Sequence, residues 1–227
     1  MRNVIQQFSE AARWVADVFS RLSIRNDREP IETVDRFFSF VSTRAALVTQ
    51  KKLYGYLKER IGIRYPAMFE DEQFARSINI AKMHVFAAGL SDLTVFAVGL
   101  VSANARMGDN ERRELAQACY RAGIADNAHE VPEALATANW ATDFDHRLDN
   151  TLWENVGAGA NPFSESPKAL IRWAPIADEH KRYDREIVEN SMRFAWNEIR
   201  KDLRDRLNAT AVLADWKRRA GRRAAAG

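Results

Sequence analysis

The sequence predicts an all-α protein: a multi-helix, mainly antiparallel bundle around a buried apolar central helix over about residues 71–105. Three observations carry that expectation. Lys82 and Arg106 enclose a nearly apolar run, MHVFAAGLSDLTVFAVGLVSANA. Amphipathic segments with three-and-four spacing stand on either side of it. No segment alternates polar and apolar residues between turn signals, so no sheet is expected.

Each element follows from local signals. Residues 1–25 form an amphipathic N-terminal helix, with Ile5, Phe8, Ala12, Val15, Phe19 and Leu22 on one face. Gln6, Gln7, Glu10, Arg13 and Asp17 interrupt it, so it does not read as a signal peptide. A helical core spans 26–156. Pro30 is placed to start a helix through Arg60, on which Val34, Phe37, Val41 and Val48 share a stripe. Asp71 can cap the central helix. Asp109 or Asn110 opens a helix through Ala122 that Gly123 ends. Pro132 opens a further helix, Glu133–Val156, closed by Gly157 and Gly159. Residues 157–167, GAGANPFSESP, form a loop between the core and a C-terminal helical arm, 168–216. Asp178 opens the long helix of that arm, with Val188, Met192, Ala195, Ile199 and Leu203 on one face. A basic tail, 217–227, completes what is expected to be one folded domain.

The central run is long enough to cross a bilayer, which takes about 20 apolar residues. Its nine Leu, Val and Phe residues each return about 0.3–0.6 kcal/mol on insertion scales, while Asp92 alone costs about 2.5–3.5 kcal/mol. Insertion is therefore marginal, and a soluble core is the better home provided Asp92 finds a partner. Arg44 lies on the Phe37–Val48 stripe and Lys51 continues its line, so either is expected to reach Asp92. One face of the central helix is built of small and polar residues: Ser77, Ala81, His84, Ala88, Ser91, Asp92, Gly99 and Ser102. Close helix packing is the reading favoured for it. A polar pocket around His84 and Asp92 is the sharper alternative, weakened because about 12 Å of helix axis separates the two.

Charge bounds the partners. The net charge is +3, but Lys217, Arg218, Arg219, Arg222 and Arg223 take the remainder to −2 when set aside. Nucleic acid is accordingly disfavoured, since a binding domain carries its basic charge on the folded face. Those five residues, with Phe8, Val15 and Phe19, are instead candidates for contact with a partner or an anionic membrane surface. The single Cys119 excludes an internal disulfide framework and fits a reducing compartment.

Catalytic signals are incomplete. Asp143, His146 and Asp149 stand one helical turn apart, a spacing at which carboxylate and imidazole can share a proton or a metal. Asp126 and His129 repeat the pattern. Di-iron bundles use Glu-x-x-His pairs with further Glu residues, which are not evident here. Gly89-Leu-Ser91-Asp92-Leu93 superficially resembles a serine-esterase block, but Ser91 falls inside a helix instead of on the exposed turn a nucleophile needs. The glycines after Val156 lack the Lys and hydroxyl of a phosphate loop.

Two stretches between Thr43 and Phe96, QKKLYGYLKERIGIRYPAMFEDEQF and INIAKMHVFAAGLSDLTVF, resemble an uncharacterised helical family of alpha-proteobacterial proteins. The resemblance implies a bacterial cytoplasm and no site residues. The expected function is non-catalytic: an adaptor, assembly or regulatory component with a protein partner, in the cytoplasm or at the inner membrane surface, with no cofactor and with self-association open. The alternative is a helical enzyme, a metal-assisted or general acid/base hydrolase using Asp143, His146 and Asp149.

Overall fold

Thr33 begins the fold by placing its hydroxyl oxygen on the backbone N–H of Arg36, capping α1 (Val34–Ile61) in the computed structural model. Residues 27–157 and 161–224 are described. Phe8, Val15 and Phe19 of the expected N-terminal helix lie outside them. Pro30 does not open α1. Ile31 is drawn out as extended backbone, donating to the carbonyl of Arg206 at 2.9 Å and accepting from the N–H of Asn208 at 3.0 Å. The bond from Asn208 takes the Ile31 carbonyl that a helix starting there would give to its own chain, so α1 starts only at Val34. Gly62 ends it with φ of 63°, a conformation that costs glycine nothing.

After a 3-10 turn (Gly62–Arg64) and the short α2 (Tyr65–Met68), Asp71 accepts from the N–H groups of Gln73 and Phe74, as its position predicts. It opens α3 (Glu72–Asn104), the central helix. Around α3 pack α1, α4 (Asp109–Asp126), α5 (Trp140–Asp149), α6 (Trp153–Gly157), α7 (Glu165–Trp173) and α9 (Ala209–Ala224). The long α8 (Asp178–Arg206) lies against α1 and α7 and sends Trp196 to Gly89 of α3. The fold is all-α, with helices gathered on a long buried apolar helix and no strands among the described residues. In α3, 83% of the most apolar stretch is buried inside the protein, so its hydrophobicity is spent on the core.

Glycines make the closest approaches. A Cβ on Gly89 would come within 2.4 Å of the Thr49 methyl and 3.3 Å of the Trp196 ring, so α1 and α8 meet α3 over a bare backbone. Gly123 likewise sits under Leu90, inside α4, and does not terminate it. The helix runs on to Asp126 because Gly123 serves packing, not capping. Gly108 is the residue before that helix, and Asp109 is already within its first turn.

The expected helix over Glu133–Val156 is broken in two. Asn150 and Thr151 turn their side chains back onto the carbonyls of His146 and Arg147, ending α5 at Asp149. Ala128–Glu130 and Glu133–Leu135 are 3-10 turns, with Val131 and Pro132 extended between them. The loop over 157–167 does not divide a core from an arm either. Ile31–Gly227 form one compact unit, and Phe163, Leu170, Trp196 and Leu203 share the hydrophobic core with residues of α1 and α3.

Candidate functional site

Asp92 is completely buried at the middle of α3. One carboxylate oxygen accepts from Arg147 Nη1 at 2.8 Å and from the N–H of Glu165 at 3.2 Å. The other accepts from the N–H of Ser166 at 2.8 Å, and the Ser166 hydroxyl bonds to the carboxylate as well. Ser166 in turn accepts from the indole N–H of Trp196 at 3.0 Å. Burial, the larger effect, raises the Asp92 pKa above the ordinary carboxylate value, and Arg147 with the Ser166 and Glu165 donors opposes it. Arg147 and the two backbone N–H groups can only donate, so each of them favours the ionised carboxylate.

The arrangement has a second consequence. Ser164, the residue before α7, makes no side-chain cap bond. The orphan N–H groups of Glu165 and Ser166, in the first turn of α7, are satisfied instead by Asp92 from another helix. Asp92 is therefore the N-cap of α7 supplied from outside it, and it also holds Arg147 of α5. The expected partners are corrected. Arg44 is buried, as its stripe implies, but bonds Asp202 at 3.1 Å and lies over the Phe40 ring, while Lys51 is exposed. Arg147 stands nearer because α5 and α7 close over this part of α3.

Arg147 completes its fork by donating to Ser91 Oγ at 2.7 Å and to the carbonyl of Pro162 at 2.5 Å. Above it opens a cavity of about 330 Å³ between α3, α4, α5 and α7. His84, Ala87, Ala88 and Ser91 supply its α3 wall. The small-residue face does both things along its length: around His84 and Ala88 it leaves room for a pocket, while at Gly99 a Cβ would come within 2.4 Å of Val156, so α6 packs there on bare backbone. The close packing favoured for that face is present, and the pocket includes His84 but not Asp92, which supports it from below.

The imidazole of His84 stacks on Trp173 at 3.5 Å, nearly parallel, and stands edge-on to Trp140. Trp140 Nε1 donates to His84 Nδ1 at 3.4 Å. With Nδ1 accepting, the neutral ring carries its proton on Nε2. Burial, then the nearby Arg172 charge, lower the His84 pKa, with Asp143 opposing them. Tyr120 lines the cavity from α4, stacked on Phe144 at 4.1 Å. It is only 3% exposed, and its hydroxyl has no hydrogen-bond partner among the described residues. The oxygen itself is not fully sealed, so water in the cavity can meet it. Burial raises its pKa well above the usual tyrosine value. At the rim, Lys168 pairs with Glu165 at 3.2 Å, while Arg172 lies over Trp173 without an ion-pair partner among the described residues.

The other candidates fare differently. Asp143 is exposed at the cavity rim, His146 is exposed, and Asp149 bonds Arg113 at 2.6 Å. The structure does not bring these three together, and no group of three or more metal-ligating side chains occurs among the described residues. His129 lies beside Glu130, away from Asp126 in any bonded sense. The basic tail is corrected too, because α9 continues through it. Lys217 reaches Glu111, Arg218 reaches Asp215, and Arg219 holds both Asp35 and Asp215, while Arg222 is exposed. Three of its charges thus serve the fold. Sequence reading missed Tyr120, Trp140, Arg147, Arg172 and Trp173 as site residues. Trp140 and Trp173 were the available signal, since indole rings bordering polar segments commonly seek a partner for their N–H. No protein-family model, curated protein or solved structure matches this chain.

Proposed function

We propose that this protein is a non-catalytic helical binding protein, acting in the cytoplasm as a regulatory or carrier component, whose ligand enters the cavity beside His84. The observation that carries the reading is the cavity itself, about 330 Å³ and walled by His84, Trp140 and Trp173, with the Tyr120 hydroxyl open to it and bonded to none of the described residues. A pocket of about 300 Å³ is at the lower end of small-molecule sites. Its walls are held before any ligand arrives, because Asp92 fixes both α5 and α7.

What favours binding over chemistry is how the reactive groups are used. Ser91 accepts from Arg147 and has no base bonded to it. His84 spends its basic nitrogen on Trp140 and offers an N–H to its surroundings, a donor and not a proton acceptor. Tryptophan fluorescence and ligand-observed NMR on the full chain, run against small planar acids, amines and neutral compounds, test the reading. Saturable binders should appear, and Ala88→Phe, which fills the cavity, should abolish them without unfolding the protein. Absence of any saturable binder overturns the reading, as does binding indifferent to Ala88→Phe. Steady turnover of a bound compound would favour the hydrolase alternative.

A further inference from the structure

Burial around the cavity is graded, and the grading orients an occupant. Arg172 and Lys168 are exposed at the rim, Trp140 and Trp173 are half-buried, and Tyr120 closes the deep end at 3% exposure. Lys168 is engaged by Glu165, and the charge of Arg147 is met by Asp92, with two more of its five N–H donors given to Ser91 and Pro162. Apart from Arg147, whose charge is matched, Arg172 at the mouth and the His84 Nε2–H on the wall face the cavity as donors. At the deep end stands the Tyr120 hydroxyl, which can donate or accept. Between the two ends the lining is apolar and flat, with Trp140, Phe144, Ala87 and Ala88.

Size narrows the body of the ligand. An apolar cavity of about 150 Å³ holds benzene. This one, at about 330 Å³, has room for a fused two-ring system or one ring with a short side chain. Charge narrows its end. Of the rim charges, Arg172 has no carboxylate engaged, so an anionic group meeting it displaces no existing pair. Asp143 also lies at the rim and works against an anion, but the donors facing the cavity, Arg172 and the His84 Nε2–H, outnumber it.

Resting on the binding reading above, we infer that the cavity takes a flat aromatic carboxylic acid of one or two rings. Its carboxylate stands at Arg172, its ring lies between Trp140 and Phe144, and a polar ring atom meets Tyr120.

Three probes of one ring system separate the contributions. Indole-3-acetate, tryptamine and indole differ in charge and keep the same flat body. Titrated calorimetrically into the full chain, indole-3-acetate should bind at least about tenfold more tightly than indole, the gain expected of a charge-assisted bond. Arg172→Gln, at an exposed position where folding is not at risk, should bring the acid down to the affinity of indole and leave indole unchanged. Tyr120→Phe should weaken all three. Equal affinity for the three probes, or preference for tryptamine, overturns the assignment to acids. If those probes are still displaced by Ala88→Phe, the cavity remains a binding site for another class. No binding of any probe to the wild-type chain overturns the assignment, and the broader screen then decides whether the binding reading falls with it.

Discussion

Replacing Asp92 with alanine removes an acceptor from four donors at once, and the structure allows the cost to be assembled. Stranding one member of a buried ion pair costs about 3–5 kcal/mol. Arg147 is 16% exposed and keeps Ser91 and the Pro162 carbonyl, which places its share near the lower figure, about 3 kcal/mol. Losing a helix N-cap costs about 1 kcal/mol, and α7 has no side chain of its own to substitute. The sum, about 4 kcal/mol, is a large part of the roughly 5–15 kcal/mol that holds a domain folded. In a chain of this size it corresponds to a fall in Tm of about 8–16 °C. Denaturant unfolding followed by tryptophan fluorescence is a suitable assay, because Trp196 bonds the same Ser166 that Asp92 holds. Arg147→Met should be costly alone and much less so beside Asp92→Ala, with a coupling of about 2 kcal/mol. If Asp92→Ala shifts stability by less than about 1 kcal/mol, or if the two substitutions are additive, the carboxylate does not join α5 and α7 in the way described.

Three further outcomes follow from other parts of the molecule. His84 has a folded-state pKa below its unfolded value of about 6.5, so the unfolded chain takes up the proton first and stability falls as pH drops from about 7 towards the folded pKa. The groups facing it are Arg172, which deepens this dependence, and Asp143, which moderates it; His84→Phe should flatten the stability profile between about pH 7 and 5 in thermal melts, and an unchanged slope would refute the assignment. Cys119 is fully buried and its thiol is pushed above the ordinary range, so a thiol reagent should label it only as fast as the protein unfolds; rapid labelling of the native chain would contradict that burial. Arg219→Ala separates Asp35 and Asp215 from their shared cation and should cost about 1–2 kcal/mol in chemical denaturation, where a tail that served only a membrane surface would show no loss.

The helices were legible where the sequence carried both a cap and a periodic face. Asp71 with the run that follows it, and the Val188–Leu203 stripe of α8, appear in the structure as they read. Boundaries failed where a distant residue decided them. Ile31 is claimed by backbone around Leu207, and Gly123 answers to Leu90, and neither relation has a local trace in the chain. The need of Asp92 for a cation was legible because burial of a lone carboxylate is prohibitive, yet its partner was not. Arg44 and Arg147 both stand on helices beside α3, and only the closure of α5 and α7 selects between them. The pocket was half visible. His84 and the small residues of α3 mark one wall, whereas Tyr120, Trp140 and Trp173 come from three other helices whose placement no spacing encodes.

The pairing of Ile31 with Leu207, together with the carboxylate of Asp215 on the N–H of Val34, bears on how the chain is made. The start of α1 emerges from the ribosome with its own cap, Thr33, but long before the carboxylate that takes the Val34 N–H: 181 residues separate Val34 from Asp215. At about 5–20 residues per second, translation takes on the order of 10–40 s to cover that distance. Most of α1 can dock meanwhile on α3 and α4, but the Val34 N–H of its first turn has no Asp215 to meet until α9 is made. Seating that turn closes a loop of nearly the whole folded unit, a step whose entropy cost grows only with the logarithm of loop length. Synthesis of α9, rather than growth of the N-terminal half, is then the event that completes the first turn of α1. A nascent chain stalled before Leu207 should leave that first turn open to amide hydrogen exchange while the interior of α3 is already protected.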